Sequence, residues 1–263
     1  MNKRWLITGT GSGLGRAVAE AALARGDAVA AIQRGGDEVS GATTSRLDVR
    51  DAAVLTETVR AAGAVDVLVA NAGYGLIGGV EETSDAELRE QFEVNFFSVM
   101  TLLRAALPGM RERRAGHVIV VSSVSGLVGW PSLGPYSASK FALEGAVETL
   151  AQEVAPLGIK VTLIEPGGLR TDFSTRSRRQ SERVIADYDA TIGQSRRLLA
   201  EHAGREGGDP AKAAQAILAV ADHPAPPLRL LLGEDALLYT EGKLDRQRRE
   251  IETWRKVTLG IGF

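Results

Sequence analysis

The chain has 263 residues, 44% of them hydrophobic and 24% charged, a composition that suits one large α/β domain with a sizeable core. Its formal net charge of −2 offers no basic field for nucleic acid or a membrane surface. With no cysteine and three widely spaced histidines, it has no disulfide, no thiolate nucleophile and no ligand set for a zinc alcohol-dehydrogenase mechanism, so we expect no metal site.

The chain opens with a pattern that predicts a phosphate-binding turn. A short apolar run over 4–8 predicts a buried strand, a glycine-rich turn follows, and residues 16–25 have a helical pattern. Glycines let the backbone approach a pyrophosphate, and the free N–H groups of a helix N-terminus bind it. The spacing Gly9-x3-Gly13-x-Gly15 departs from the usual fingerprint G-x-G-x-x-G, so a plain flexible loop remains the alternative.

Strands and helices then alternate, which predicts a parallel sheet covered on both faces. Strands are predicted over 28–32, 44–47, 65–70, 116–123, 159–165 and 228–232, and helices over 52–62 and 84–111. Ser84 and Glu87 form a capping-box pattern at the start of the second helix. No linker or repeat divides the chain, and no apolar run reaches 18 residues, so we expect one domain over 1–263 in a cytoplasmic protein without a membrane partner.

A tyrosine and a lysine spaced four residues apart stand out in the second half of the chain. On a helix, Tyr136 and Lys140 share one face, about 5–6 Å apart at Cβ. The nearby ammonium favours the phenolate, so we expect a lowered tyrosine pKa and proton exchange with a carbinol oxygen near neutral pH. An exposed pair of no consequence is the alternative that the surrounding sequence must exclude.

Six motifs in order resemble the short-chain dehydrogenase/reductase family between about residue 4 and about residue 172, and more loosely to the end. They are Thr8-Gly9-x3-Gly13-Leu14-Gly15, Asn71-Ala72-Gly73, Asn95 in Val94-Asn95-Phe96, Ser123 at the family's interval of 13 residues before the tyrosine, Tyr136-x3-Lys140, and Pro166-Gly167-Gly168-Leu169-Arg170-Thr171. Leu169 stands where the family has valine.

The resemblance implies an α/β, Rossmann-type, doubly wound fold with a mostly parallel seven-stranded sheet. It implies hydride transfer between a nicotinamide cofactor and a ketone or secondary alcohol. Tyr136 would be the general acid/base, Ser123 would orient the substrate oxygen, Lys140 would lower the tyrosine pKa and bind the nicotinamide ribose, and Asn95 would hold a water. Implied cofactor contacts are Gly9, Gly13, Leu14, Gly15, Asp48, Val49, Asn71, Ala72, Gly73, Tyr136, Lys140, Pro166, Gly167, Leu169 and Thr171. A homodimer or homotetramer is also implied, through the helix of 84–111 and the helix after Tyr136.

The end of the second strand bears on the choice between NADP(H) and NAD(H). NAD sites commonly place an acid there to bind the ribose 2′-hydroxyl, but this position is Gln33, and Arg34 follows it. A guanidinium suits a 2′-phosphate, so we favour NADP(H) and leave NAD(H) open. Alternatively, Arg34 points to solvent in the Gly35-Gly36 turn and binds no phosphate. Asp48 likewise has two interpretations, a contact to the adenine or an ordinary helix cap.

Substrate identity is the least determined feature of the sequence. The family places its lid at about 173–208, where four arginines lie close together: Arg176, Arg178, Arg179 and Arg183. They suit an acidic substrate or, alternatively, a solvated helix balanced by nearby acids. The first expectation is therefore a ketone/alcohol oxidoreductase for a small molecule. A 3-oxoacyl thioester reductase and a catalytically silent dinucleotide sensor or scaffold are the alternatives.

Overall fold

The computed structural model describes residues 2–262, and a parallel sheet forms its centre. Its strands are β1 (Arg4–Thr8), β2 (Ala28–Gln33), β3 (Thr43–Arg46), β4 (Val67–Ala70), β5 (Gly75–Ile77), β6 (Gly116–Val121), β7 (Ile159–Pro166), β8 (Arg178–Gln180) and β9 (Arg229–Leu232). Seven of them form one sheet in the order β3-β2-β1-β4-β6-β7-β9, and every neighbouring pair in it is parallel. The seven-stranded fold predicted from the sequence is confirmed.

Helices cover both faces of this sheet. They are α1 (Gly13–Ala24), α2 (Ala52–Ala61), α3 (Asp85–Phe92), α4 (Ser98–Arg113), α5 (Gly134–Val154), α6 (Gln194–Glu201), α7 (Pro210–Asp222) and α8 (Glu234–Leu259). Successive strand residues point to opposite faces, so Leu6 of β1 packs with α2, α4 and α5, whereas Trp5 and Ile7 pack with α1 and α7. Two apolar layers therefore hold the strand ends in fixed positions.

The strand order indicates where on the sheet a ligand binds. The chain leaves β1 toward β2 on one side and later returns through β4 on the other, so the order reverses between β1 and β4. In open parallel sheets, ligands bind in the crevice at such a reversal, outside the carboxyl ends of the strands. Thr8, Ala70, Val121 and Pro166 end the four strands that meet there.

The helix predicted over 84–111 is interrupted, so that prediction is wrong as a single helix. Its start is confirmed, because Ser84 and Glu87 form the capping box that the sequence indicated. After α3, residues Glu93–Phe97 form a π-helical turn before α4 begins. The inserted turn buries Asn95, and hydrogen bonds from Asn95 to residues far away in the sequence hold it there.

Several described elements, among them α6 and α7, have no counterpart in the sequence-based expectations. β5 and β8, three residues each, form a small parallel sheet beside the main one, and α8 is a long helix. Beyond its first turn α8 is exposed, including Leu244 and Trp254. Across residues 2–262, no helix has both the length and the apolarity needed to traverse a bilayer.

Candidate active site

The carboxyl ends of the central strands open into a cavity of about 1030 Å³ that extends from the turn after β1 to the segment predicted as a lid. Its walls include most of the positions expected to hold a nucleotide: Gly9, Gly13, Leu14, Arg34, Asp48, Val49, Asn71, Ala72, Gly73, Pro166, Gly167, Leu169 and Thr171. Ser123, Tyr136 and Lys140 line the same cavity, whereas Gly15 and Asn95 do not. The structure therefore brings the expected nucleotide positions and three of the four expected catalytic residues together.

The turn after β1 fits a phosphate group. α1 begins at Gly13, its N-cap Ser12 makes no side-chain hydrogen bond to the helix, and no acid stands in the first turn. The first amides of α1 therefore have no side-chain acceptor, and the positive end of the helix dipole favours an anion there. The sequence predicted Gly15 as a cofactor contact, but Gly15 is buried under the turn and does not line the cavity. A Cβ at Gly15 would lie 2.3 Å from Asn71 Nδ2, so its glycine serves close packing.

Asn71 fastens the glycine turn to the end of β4. Its Nδ2 donates to the carbonyl oxygens of Thr8, at 2.9 Å, and Gly9, at 3.3 Å. The backbone amides of Asn71 and Ala72 donate to Thr8 Oγ1, each at 3.0 Å. These bonds shape the floor of the cavity at the strand reversal, with Gly73 continuing its wall.

At the far end of the cavity, Arg34 and Asp48 face each other. Gln33 ends β2 at the cavity lining with its side chain buried: its Oε1 accepts a hydrogen bond from Thr10 Oγ1 at 3.0 Å, and its Nε2 donates to the Gly36 carbonyl oxygen at 3.1 Å. Arg34 is exposed at the cavity rim, its Nη1 3.9 Å from Asp48 Oδ2. Hydrogen bonds from Arg50 hold the pKa of Asp48 below its usual value, and the Arg34 charge adds to the effect. The Arg34 guanidinium and the Asp48 carboxylate therefore lie together where the adenosine ribose is expected to bind.

Three chemically active side chains meet where β6 and α5 approach each other. Tyr136 and Lys140 lie one turn apart near the start of α5, and both are buried. Ser123 lies just after β6, and its Oγ accepts a hydrogen bond from the Ser125 amide at 3.1 Å. The Ser123 hydroxyl lowers the pKa of the Tyr136 phenol against the larger effect of burial. Ser122 points instead toward Glu144, which agrees with the choice of Ser123 from its interval to the tyrosine.

The expected lowering of the tyrosine pKa by Lys140 is wrong in this structure. Burial raises the pKa of Tyr136 to about 12, against the opposing effects of Ser123 and Arg178. Lys140 Nζ lies 5.9 Å from the centre of the tyrosine ring and donates to the Val121 carbonyl oxygen at 2.8 Å. Burial in turn lowers the pKa of Lys140 to about 8. Desolvation of the phenolate thus sets the direction of the shift, and the Lys140 ammonium is not among the groups that lower the tyrosine pKa, which helical spacing alone could not reveal.

Asn95 acts on the site through the loop after β4. Its Nδ2 donates to the Tyr74 carbonyl oxygen at 2.9 Å and to Ser139 Oγ at 3.3 Å, while its Oδ1 accepts from the Tyr74 amide at 3.1 Å. These bonds join the π-helical turn, the loop and α5. The water that the family resemblance assigns to Asn95 stays a prediction.

The loop after β7 forms the wall opposite the glycine turn. Pro166, Gly167, Leu169 and Thr171 all line the cavity. Asp235, in the first turn of α8, accepts a hydrogen bond from the Gly168 amide at 2.7 Å. A Cβ at Gly167 would lie 2.1 Å from Asp235 Oδ1, so this contact requires glycine. No sequence pattern indicated Asp235, because α8 itself was not predicted.

The segment 173–208 borders the cavity, as its predicted role as a lid requires. The ring of Phe173 packs against that of Tyr136, with 5.8 Å between their centres. β8 pairs with β5, which fixes the segment to the main body of the protein. α6 supplies Leu198 and Leu199 to the cavity wall.

A buried pair of acids, missed from the sequence, lies behind the site. Glu144 follows Lys140 by one turn of α5, and Glu165 lies next to the end of β7; each is almost fully buried. Arg229 contacts both, at 3.2 Å each. Burial raises the pKa of Glu165 to about 8, with a further rise from the Glu144 charge, and burial also raises the pKa of Glu144. The spacing from Lys140 to Glu144 was the one available signal in the sequence.

No group of three or more potential metal-ligating side chains occurs within residues 2–262.

Comparison with known proteins agrees with this geometry. A family model described as "short chain dehydrogenase" matches residues 3–182. "Oxidoreductase BOA17" of Botryotinia fuckeliana is 37% identical over 98% of this chain and 99% of its own length. A short-chain dehydrogenase structure from Streptomyces avermitilis has a TM-score of 0.94 and 42% identity, covering 100% of both chains. A Burkholderia phymatum structure in complex with NAD has a TM-score of 0.79 and 27% identity, covering 97% of this chain and 95% of that one.

Proposed function

The chain belongs to the short-chain dehydrogenase family, and from this premise we propose that it is an NADP(H)-preferring oxidoreductase of ketones and secondary alcohols. The family and its oxidoreductase relatives make it a nicotinamide-dependent enzyme acting on CH–OH or C=O groups. The finer proposal is carried by one observation: Ser123, Tyr136 and Lys140 line the same cavity as an uncapped glycine turn.

The proposed mechanism assigns one step to each side chain. A bound nicotinamide supplies the hydride in reduction and accepts it in oxidation. Tyr136 donates its proton to the carbonyl oxygen of the substrate during reduction and removes it during oxidation. Its pKa of about 12 keeps the phenol protonated at neutral pH, which suits the reductive direction. Ser123 hydrogen-bonds the same oxygen and stabilises its developing charge.

Lys140 and the glycine turn are proposed to hold the cofactor. The first amides of α1 would bind the pyrophosphate, because no side chain caps them and no acid repels an anion there. Lys140 would bind the ribose next to the nicotinamide, and the loop 166–171 would contact the nicotinamide carboxamide. The cavity volume of about 1030 Å³ lies at the upper end for ligand pockets, which is room for a dinucleotide and a small substrate.

The preference for NADP(H) rests on Arg34. Its guanidinium is exposed at the cavity rim, and no carboxylate occupies the last position of β2 to bind a ribose 2′-hydroxyl. A 2′-phosphate would compete with Asp48 for this guanidinium, and charge-assisted bonds to a phosphate favour that exchange. NAD(H) stays the alternative, since Asp48 could bind a free 2′-hydroxyl.

A fluorescence titration tests the cofactor preference. Wild type, Arg34→Ala and the control Arg46→Ala are titrated with NADPH and with NADH. Arg46 is a matched control because it lies at the same edge of the sheet and pairs with Glu38 outside the cavity. We expect Arg34→Ala to weaken NADPH binding about 10-fold or more and to leave NADH binding unchanged. Equal affinities for NADPH and NADH in the wild type would contradict the preference.

The two alternatives from the sequence are less well supported. Three of the four lid arginines pair with carboxylates, which weakens the case for a broad basic mouth that would accept an acyl carrier or coenzyme A thioester. A silent dinucleotide sensor is disfavoured by the oxidoreductase relatives and by the retention of Ser123, Tyr136 and Lys140. A homodimer or homotetramer through α4 and α5 and a cytoplasmic location stay predictions.

A further inference from the structure

The four arginines at the start of the lid differ in what they contact. Arg176 pairs with Asp172 at 3.6 Å, Arg179 with Glu90 at 2.9 Å, and Arg183 with Glu81 at 3.6 Å. These three arginines are exposed. Arg178 is half-buried, and within residues 2–262 no carboxylate lies within ion-pair distance of it. Burying a guanidinium without a carboxylate partner costs free energy, so its position needs a reason.

The pairing of β8 with β5 directs Arg178 toward the site. Arg178 lies in register with Gly75, and Arg179, its neighbour in the strand, places its guanidinium over the Tyr74 ring at 5.2 Å. Because successive strand residues face opposite ways, Arg178 faces away from that ring. A Cβ at Gly75 would lie 3.2 Å from Phe173 Cζ and 3.9 Å from Tyr136 Cδ2, so the strand that pairs with β8 packs closely against the rings of Phe173 and Tyr136.

Among the residues that the structure describes, one hydrogen bond holds the Arg178 guanidinium. Its Nη1 donates to the Leu199 carbonyl oxygen of α6 at 3.0 Å, while the side chain lines the cavity. A guanidinium has five N–H donors, so four are left for other partners. Its charge is felt by the Tyr136 phenol, whose pKa it lowers against the larger effect of burial. Arg178 therefore acts at the reacting end of the cavity.

On the basis of the proposed function, we propose that Arg178 binds a carboxylate on the substrate, which makes the substrate an oxo acid or the corresponding hydroxy acid. The planar fork of a guanidinium matches a carboxylate in a bidentate manner. Glu206 lines the same cavity and acts electrostatically on Arg178 without reaching ion-pair distance, so the guanidinium keeps free N–H donors for a substrate anion. Trp130, Leu133 and Leu198 supply an apolar wall for the rest of the substrate.

The test compares medium-chain oxo acids with their methyl esters, using a series in which the ketone stands at increasing distance from the carboxyl group. Each pair is assayed with NADPH on wild type, Arg178→Gln, Arg178→Lys and the control Arg183→Gln, a lid arginine that pairs with Glu81 and does not line the cavity. The readout is the ratio of kcat/KM for the acid to kcat/KM for the ester. This ratio cancels any effect of Arg178 on Tyr136, because the acid and the ester are reduced by the same tyrosine.

We expect wild type to prefer the acid of at least one pair by about 10- to 100-fold, and Arg178→Gln to abolish that preference. Arg178→Lys should recover part of the preference, because it keeps the charge and loses the fork. Arg183→Gln should keep the wild-type ratio. A saturated carboxylate of the same length should inhibit reduction of a neutral ketone by wild type and lose that inhibition in Arg178→Gln.

Other outcomes overturn the proposal. Equal use of acid and ester by wild type, or an unchanged ratio in Arg178→Gln, would show that Arg178 binds no substrate carboxylate. Weaker NADPH binding by Arg178→Gln with an unchanged ratio would assign Arg178 to a cofactor phosphate. Failure of wild type to bind a nicotinamide cofactor or to reduce any neutral ketone would instead refute the proposed function, which separates the two claims.

Discussion

Replacing Glu165 with glutamine should flatten the pH dependence of stability. Glu165 is nearly fully buried beside Glu144, and burial raises its pKa to about 8 from an ordinary value of 4.5. Arg229 contacts Glu165, Glu144 and Glu148. Lys140 lies one turn before Glu144 on α5. A carboxyl whose pKa is higher in the folded than in the unfolded state stabilises the fold at low pH. That stabilisation is lost as the pH rises through the folded-state pKa.

The expected size follows from these two values. Between pH 6 and pH 8, the Glu165 contribution to the free energy of unfolding falls by about 2 kcal/mol, obtained by integrating proton binding between an unfolded-state pKa of 4.5 and a folded-state pKa of about 8. For a chain of this length, that change lowers Tm by about 5 °C. Glu165→Gln keeps the shape and removes the titration, so most of this fall should disappear.

Differential scanning fluorimetry across pH 6 to pH 8 measures the effect. Glu148→Gln is the matched control, because Glu148 contacts the same Arg229 with a half-exposed side chain. We expect the control to keep the wild-type slope. An identical slope for wild type and Glu165→Gln would refute the view that this acid is protonated in the fold at neutral pH.

Three further changes have defined outcomes. Ser84→Ala removes the capping box of α3 and should cost about 1 kcal/mol by urea unfolding, whereas Ser84→Asp should restore most of it. Gly9→Ala should abolish cofactor binding by fluorescence, because Gly9 has a φ of 75° and its new Cβ would lie 2.7 Å from Asn71 Nδ2; Gly129→Ala, with open space around it, should bind normally. Burial lowers the pKa of His117 to about 4, so the neutral imidazole is compatible with the fold above pH 6.5. As the pH falls toward 4, the unfolded state binds a proton there and the free energy of unfolding decreases by about 3 kcal/mol. His117→Gln should therefore make Tm less dependent on pH over that range.

Each of these predictions can fail in a defined way. Unchanged unfolding of Ser84→Ala would mean that the capping box does not stabilise α3. Normal cofactor binding by Gly9→Ala would show that the turn after β1 tolerates a side chain and does not approach the ligand closely. If Tm of His117→Gln falls at low pH as steeply as Tm of wild type, other groups cause the loss of stability at low pH.

The sequence predicted what local patterns determine. The strand, glycine turn and helix at the start of the chain follow from apolar runs and glycine positions, and β1 has the predicted bounds. The capping box of α3 was predicted because its two partners, Ser84 and Glu87, are three residues apart. The meeting of Ser123 with Tyr136 was predicted by family resemblance rather than by local physics.

Features that depend on distant contacts were not predictable in the same way. The π-helical turn at 93–97 is held by bonds from Asn95 to Tyr74 and Ser139, so the periodicity of the helix did not reveal it. β5 and β8 have three residues each and exist through pairing across the chain. The high pKa of Tyr136 comes from burial, which spacing along a helix does not report.

The separation of Arg178 from its neighbours likewise required the structure. In the sequence, the lid arginines form one basic cluster. Both Arg178 and Arg179 line the cavity, and only the structure shows how they differ. Arg179 lies over Tyr74 and pairs with Glu90, whereas Arg178 donates to the Leu199 carbonyl oxygen and lowers the pKa of Tyr136 against the larger effect of burial.

Single-turnover oxidation of bound NADPH by a ketone substrate, measured in wild type and Tyr136→Phe, shows whether Tyr136 transfers the proton during reduction. We expect a rate at least about 100-fold lower in Tyr136→Phe, with NADPH affinity within about twofold of wild type. A wild-type rate in Tyr136→Phe at unchanged NADPH affinity would contradict the assignment.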